Sequence, residues 1–372
     1  MKPNPFHLSG YTSPDYFCDR EEERGRISNS ILSQRNITLI SPRRMGKTGL
    51  ILHSFYDFLG NKDIIPVYFD VLGTTKLKEF TEAFGNALLQ SIGKTEGGLK
   101  KLLKQLVHLR PEINFNPLNG EPKISLDIRN EKEAVSSLDT IFRLIASKNK
   151  YFAIAIDEFQ QISEYPEKNI EAILRSQIQQ SNNSSFIFSG SKKHMLVDMF
   201  SKPSRPFFSS TEMMFLKTIE EKRYRDFILR HFSAARKEIT DSAINMIFKV
   251  TRRHTFYTQF LCNRLFSLYK KVDLDHVEKM LITILLENEP IFANYLNLIT
   301  TTQYTTLRAI AIDGEVKSPN SNEFLLRHSL GAASSVNQAI NSLIDKEFVM
   351  RENGALLLQD KFFREWIRMK TI

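Results

Sequence analysis

The segment Ser41-Pro42-Arg43-Arg44-Met45-Gly46-Lys47-Thr48 lies between the apolar run Ile37 to Ile40 and the periodic stretch Thr48 to Leu59. That neighbourhood restricts the chain to few architectures. The run before it is short, largely β-branched and uncharged, as expected of a strand buried on both faces of a parallel sheet. In the stretch after it, Leu50, Ile51, Phe55 and Phe58 fall on one side of a helix. Strand, tight loop and helix is the setting in which backbone N–H groups and a helix N-terminus converge on phosphate oxygens. The pattern G-x-x-x-x-G-K-[ST] is met at Gly46, Lys47 and Thr48, with Ser41 where it asks for its first glycine. Serine fits that position only with a negative φ. Residues Ser41 to Thr48, together with Gly49, are therefore expected to cradle phosphate. Lys47 would reach the β- and γ-phosphates, and the Thr48 hydroxyl would coordinate Mg²⁺.

A second stretch, Tyr151 to Ile156, is an uninterrupted apolar run that ends in Asp157-Glu158. Adjacent carboxylates after a buried strand belong at its carboxyl end, where open parallel sheets bind ligands. There the two divide the work: Asp157 organises the Mg²⁺ shell and Glu158 polarises an attacking water as general base. A further strand, Ser185 to Ser191, places the Ser189 hydroxyl where it could bond the γ-phosphate or the lytic water. In the loop that follows, Arg205 is a candidate for stabilising phosphate charge, from this subunit or a neighbouring one.

The chain has 372 residues, 42% of them hydrophobic and 25% charged, which excludes wholesale disorder and allows about two or three domains. A net charge of +9 permits a polyanionic partner without naming one. Cys18 and Cys262 match no metal spacing and fit a reducing compartment. Neither a signal pattern nor an apolar run of membrane-spanning length occurs, so a cytoplasmic protein is expected.

Taken in order, Met1 to Asp19 reads as an extended arm, with Asp19 capping the helix that follows. Ile64 to Asp70 is a second buried strand, and Thr75 to Leu106 is mostly helical, broken near Gly93 to Gly98. Ile113 to Ile128 alternates around Asn119-Gly120 and predicts a hairpin inserted, near residues 111–130, at the edge of the main sheet. Glu131 to Lys148 and Asn169 to Ser181 return to helical periodicity. Lys217 to Phe232 and Ser242 to Tyr269 predict two amphipathic helices, the second capped by Thr240 or Asp241. Glu287 to Pro290 marks a boundary. Beyond it come helices over Thr302 to Ile312, Ser321 to Leu330 and Ala333 to Asp345, and a hairpin over Phe348 to Leu358. That is the order of a winged helix-turn-helix. Its candidate recognition helix offers Ser334, Ser335, Asn337 and Gln338 without a cation, so both DNA and a protein partner stand as expectations.

With these pieces placed, the chain resembles the archaeal-type P-loop ATPases of the STAND branch, relatives of AAA+ proteins. The resemblance rests on Phe17, Asp19-Arg20-Glu21 and Glu23, on Pro42 to Thr48, on Ile154 to Glu158, and on Ser189-Gly190-Ser191. It implies an α/β fold: a P-loop parallel sheet flanked by helices (residues 1–215), then a helical lid (216–290) and a C-terminal winged helix (291–372). It implies ATP as ligand, Mg²⁺ as cofactor and ATP hydrolysis as the reaction. The alternative is an adaptor that holds nucleotide structurally. The chain departs from the family's pattern at Ser41, at Pro206-Phe207-Phe208-Ser209-Ser210, where the family carries an arginine, and at Arg253-His254-Thr255 in the lid.

Overall fold

The computed structural model describes residues 4–96, 111–115, 122–126, 128 and 130–371. Two compact units emerge: Ser9–Thr218, and Ile219–Ile372 together with Met1–Leu8.

The first unit is built on five parallel strands: β1 (Ile37–Ile40), β2 (Ile64–Asp70), β5 (Tyr151–Asp157), β6 (Ser184–Gly190) and β7 (Glu212–Phe215). Their order across the sheet is β2-β5-β6-β1-β7. The strand feeding the phosphate-type loop and the strand ending in Asp157 are thus separated by β6. Strand side chains alternate between faces, and β5 uses the alternation to match two different helix layers. Phe152, Ile154 and Ile156 point into the core that holds Phe80, Phe84 and Leu88 of α3 (Leu77–Glu96) and Leu138 and Ile141 of α4 (Glu131–Ser147). The small Ala153 and Ala155 face Ile27 and Ile31 of α1 (Glu21–Leu32) and Leu50, Ile51 and Phe55 of α2 (Lys47–Tyr56). Helices α5 (Ile170–Gln180) and α6 (Lys193–Ser201) complete the covering of the first face through Leu174, Leu196 and Met199.

Several local expectations need correction. Strands β3 (Pro111–Phe115) and β4 (Pro122–Leu126) pair antiparallel with each other and form a sheet of their own. Alternation predicts a hairpin but cannot say what it pairs with. The expected turn at Asn119-Gly120 lies outside the described residues. Helix α3 continues through Gly93 to Glu96, and the remainder of the expected break, to Gly98, lies outside the described residues. Asp19 makes no cap: it and Arg20 take positive φ values of 58 and 80, and Arg20 occupies the cap position of α1. Phe6, in the arm, is fully buried among Phe227, Phe232 and Phe266, so the arm's first part is core of the second unit.

In that second unit the predicted helix over Ser242 to Tyr269 is two helices, α8 (Asp241–Thr251) and α9 (Thr255–Leu268), following α7 (Glu221–Ala234). They are split by Arg252 and Arg253, both left-handed at φ 52 and 56. Arginine carries no signal for that conformation, and the apolar periodicity runs across the break. Thr240, whose side chain accepts from the Ala243 N–H, is the cap. The short strands β8 (Glu238–Ile239) and β9 (Lys271–Val272) pair parallel, and α10 (Leu274–Glu287) and α11 (Glu289–Leu296) follow.

The rest is α12 (Thr301–Asp313), α13 (Asn322–Arg327), α14 (Ala333–Asp345) and the hairpin β10 (Val349–Glu352) and β11 (Ala355–Leu358). Asn353 and Gly354 take φ 49 and 80, as a tight two-residue hairpin turn requires. A last helix, α15 (Lys361–Thr371), buries Phe362, Phe363, Trp366 and Ile367. Phe363 and Trp366 pack against Phe292 of α11. This is a winged helix with one added helix. Among the described residues no helix is long and apolar enough to cross a membrane.

Candidate functional site

The site lies at the carboxyl ends of β1, β5 and β6. The register pairs Ile40 with Gly190 and Ile156 with Phe188, so Ser189 stands beside the end of β5. From β1 the chain enters the loop. Ser41 is buried and is not among the residues of positive φ, as its replacement of glycine demands; Arg44 (φ 61) and Gly46 (φ 93) take the left-handed turns instead. Met45 is 4% exposed and packs into the core under α1 and α2, which anchors the loop from below. Arg43 and Arg44 are exposed at the tip. Gly46 caps α2, and the ring of Phe17 lies against Gly49, where an added Cβ would come within 3.1 Å of it.

Lys47 is 5% exposed, and its Nζ donates back to the loop carbonyls of Ser41 (3.3 Å) and Pro42 (3.4 Å). Burial holds its ammonium below the usual lysine range, against the pull of Glu158 and Asp157. Asp157, 2% exposed, gathers the site. Its Oδ2 accepts from Thr48 Oγ1 at 2.5 Å and from the Tyr68 hydroxyl at 3.0 Å. Its Oδ1 accepts from Ser189 Oγ and, at 3.0 Å, from the Glu158 N–H. Burial first, and the Asp157 carboxylate second, push the Tyr68 phenol well above the ordinary tyrosine range. Glu158 has a left-handed backbone (φ 54, ψ 39), and its Oε1 is 3.9 Å from Lys47 Nζ.

The structure therefore brings Lys47, Thr48, Asp157, Glu158 and Ser189 together. Arg205 lies apart from this network, in a two-pronged pair with Glu171 of α5 and 3.5 Å from Ser163 Oγ. Tyr68 and Gln160 join the site without a role assigned from sequence, and Ser191, named there only as part of the Ser189-Gly190-Ser191 turn, joins it through Glu158. Tyr68 lies two residues before the end of β2, opposite Ala155, and its approach to Asp157 depends on the pairing of β2 with β5.

One hydroxyl and one carboxylate in mutual contact, with no cluster of three or more His, Cys, Asp or Glu ligands among the described residues, suit a hard cation that keeps waters and phosphate oxygens in its shell. A left-handed glycine opening α2, with a buried lysine beside it, suits phosphate. The residues fit both groups.

Fold and site together define a P-loop ATPase fold with an appended winged helix domain. Comparison with known proteins agrees on both parts. Residues 290–369 match the family described as "Probable winged helix domain". The chain is similar over 98% of its length, and 99% of the other, to a Walker-type ATPase of Pyrococcus abyssi (TM-score 0.62, 16% identity). It is also similar to the ORC2 protein of Aeropyrum pernix (TM-score 0.54, 13% identity, 99% and 98% of the two chains). A third similar structure is the Aeropyrum pernix ORC1 protein in complex with DNA (TM-score 0.52, 12% identity, 96% and 94%). At these identities the likeness is one of fold. No curated protein sequence matches the chain.

Proposed function

We propose that the chain is an ATP-binding, Mg²⁺-dependent P-loop ATPase that works as a nucleotide-driven switch coupled to its winged helix. The observation that carries this reading is the contact of Thr48 Oγ1 with Asp157 at 2.5 Å, which joins the loop to the acidic strand end across β6. The loop amides from Ser41 to Gly49 and Lys47 bind the β- and γ-phosphates. Thr48 and Asp157 hold Mg²⁺, which supplies charge neutralisation on the phosphates when bound. Glu158 takes the proton of the attacking water, and Ser189 reports on the γ-phosphate. Arg205 would act on phosphate only by leaving Glu171. The finer placement within the STAND branch, and the division of the second unit into lid and winged helix, rest on the sequence motifs.

Two measurements test the reading. Nucleotide carried through purification is identified by mass. Glu158→Gln is then expected to abolish phosphate release while nucleotide still binds. Release that continues unchanged would sink the ATPase reading and leave the adaptor, which the altered Arg253-His254-Thr255 segment and the engaged Arg205 favour.

For the partner, charge bears on the choice between the two candidates, DNA and protein. Residues 291–372 hold nine Lys and Arg against eight Asp and Glu. The exposed face of α14 carries Ser334, Ser335, Gln338 and Asn341 and no cation. Nearby, Arg327 is bonded to Asp313 and Glu323, His328 to Asp313, and Lys346 to the Leu298 carbonyl, while Arg351 of β10 is exposed. DNA affinity rests chiefly on phosphate neutralisation, so this surface suits a protein partner better. Titration of labelled duplex at two salt concentrations checks this: binding at low salt that weakens steeply with salt would restore DNA.

A further inference from the structure

The Glu158 carboxylate is held asymmetrically. Its Oε2 accepts from Gln160 Nε2 (2.6 Å), from Ser191 Oγ (2.8 Å) and from the Ser191 N–H (3.3 Å). Its Oε1 faces Lys47 Nζ at 3.9 Å. The clamp is built into the fold at two points. Gln160 follows Glu158 in the short 3-10 helix Phe159–Glu164 and is 2% exposed. Its own Oε1 is buried without a hydrogen-bond partner. Turning the amide over to satisfy that oxygen would set it against the carboxylate, so the donor orientation is the favourable one. At the end of β6, Gly190 makes the room: an added Cβ would stand 1.9 Å from Gln160 Oε1 and 2.9 Å from Leu196 Cδ1. A glutamine with one unsatisfied buried oxygen is costly unless its other end is engaged.

We propose that Gln160 and Ser191 are positioning residues that select which oxygen of Glu158 works as base. With three donors on Oε2, its lone pairs are occupied, and Oε1, on the Lys47 side, is the oxygen left to receive a proton. In the step itself, the water oxygen bonds to the γ-phosphorus as the bond from that phosphorus to the β–γ bridging oxygen breaks. The electron pair leaves with ADP, and the water proton passes to Glu158 Oε1. The proposal rests on the ATPase reading above and deepens it.

The test compares full-length wild type with Glu158→Gln, Gln160→Ala, Ser191→Ala, Ser191→Thr and Gly190→Ala. Turnover is read by phosphate release, and nucleotide affinity by a fluorescent ATP analogue. Thermal melting shows that each variant is folded. Gln160→Ala is expected to lower kcat roughly a hundredfold, the scale of a misplaced reacting group, with nucleotide affinity within about twofold. Ser191→Ala keeps the backbone donor and should lose about tenfold; Ser191→Thr, which restores a hydroxyl, should recover most of that loss. Gly190→Ala should reproduce Gln160→Ala by displacing the amide. If Gln160→Ala does not fold, Ser191→Ala against Ser191→Thr decides. Wild-type kcat in folded Gln160→Ala and Ser191→Ala, with Glu158→Gln inactive, overturns the clamp and leaves the ATPase reading standing. A parallel fall in kcat and affinity marks a merely structural role and also overturns it. No phosphate release by the wild type overturns both readings.

Discussion

The buried Lys361 should make the stability of the fold depend on pH in the alkaline range. It opens α15 and is 4% exposed, with its Nζ donating to the Leu358 carbonyl at 2.8 Å. Burial, with Arg252 and Arg364 adding repulsion, pushes its pKa down from 10.5 to about 8, while Glu352 and Asp360 pull the other way. A lysine lowered in this way destabilises the fold wherever it must stay charged. Below pH 8 it is protonated in both states and the penalty is complete. Between about pH 8 and 10.5 the unfolded chain keeps a proton that the folded chain has released, so stability rises with pH across that window. At ~1.4 kcal/mol per pH unit the penalty is about 3 kcal/mol. Lys361→Met keeps the methylene packing and removes the charge, but it leaves the Leu358 carbonyl without its donor, at about 1 kcal/mol. The variant is therefore expected to be about 2 kcal/mol more stable than wild type at pH 7 and about 1 kcal/mol less stable near pH 10.5. Urea unfolding followed by Trp366 is the assay, because the chain's single tryptophan is buried on the same helix. Stability curves for the two proteins that run parallel from pH 7 to 10.5 would refute the reasoning.

Other expectations concern the site. Tyr68→Phe removes one of the four donors to Asp157 and should cost about 1–2 kcal/mol in urea unfolding, whereas Tyr56→Phe, at an exposed tyrosine, should stay within about 0.5 kcal/mol. Arg205→Ala should lose about 1–2 kcal/mol by leaving the largely buried Glu171 unpaired; a fall in phosphate release beyond that of Glu171→Gln would instead show Arg205 acting on phosphate. Nucleotide affinity should weaken as pH rises through the lowered pKa of Lys47, because phosphate binds the charged form. Isothermal titration across pH, with Lys47→Ala as a pH-insensitive control, checks this.

The strands and the loop were legible in the sequence because each carries a local mark. Ile37 to Ile40 and Tyr151 to Ile156 are largely apolar runs of strand length, and Gly46-Lys47-Thr48 has a chemistry that few other settings require. The winged helix was legible from its alternation of periods and its Asn353-Gly354 turn. What stayed hidden depends on pairing or on unusual backbone. Tyr68 meets Asp157 only because β2 lies beside β5. Gln160 reaches Glu158 only because Glu158 turns left-handed, a conformation its residue type does not announce. The break at Arg252-Arg253 and the failed cap at Asp19 have the same cause: positive φ on residues that carry no glycine signal. Helix α15 has clear apolar spacing at Phe362, Phe363, Trp366 and Ile367, and could have been read from it.

The position of β6 sets the gauge of the site. Because it separates β1 from β5, the loop and the acidic strand end stand two strand spacings apart, about 10 Å. Thr48 and Asp157 still touch because the middle strand ends in Ser189 and Gly190 and is followed by Ser191, residues too small to hold them apart. Each of these three positions has a different reason to stay small: one bonds Asp157, one leaves space for Gln160, and one bonds Glu158. Substitution should therefore be tolerated less at this strand end than in the loop tip, where Arg43 and Arg44 project outward. A bulky residue there would act as a wedge, forcing the phosphate half of the site away from the acidic half without removing a single group from either.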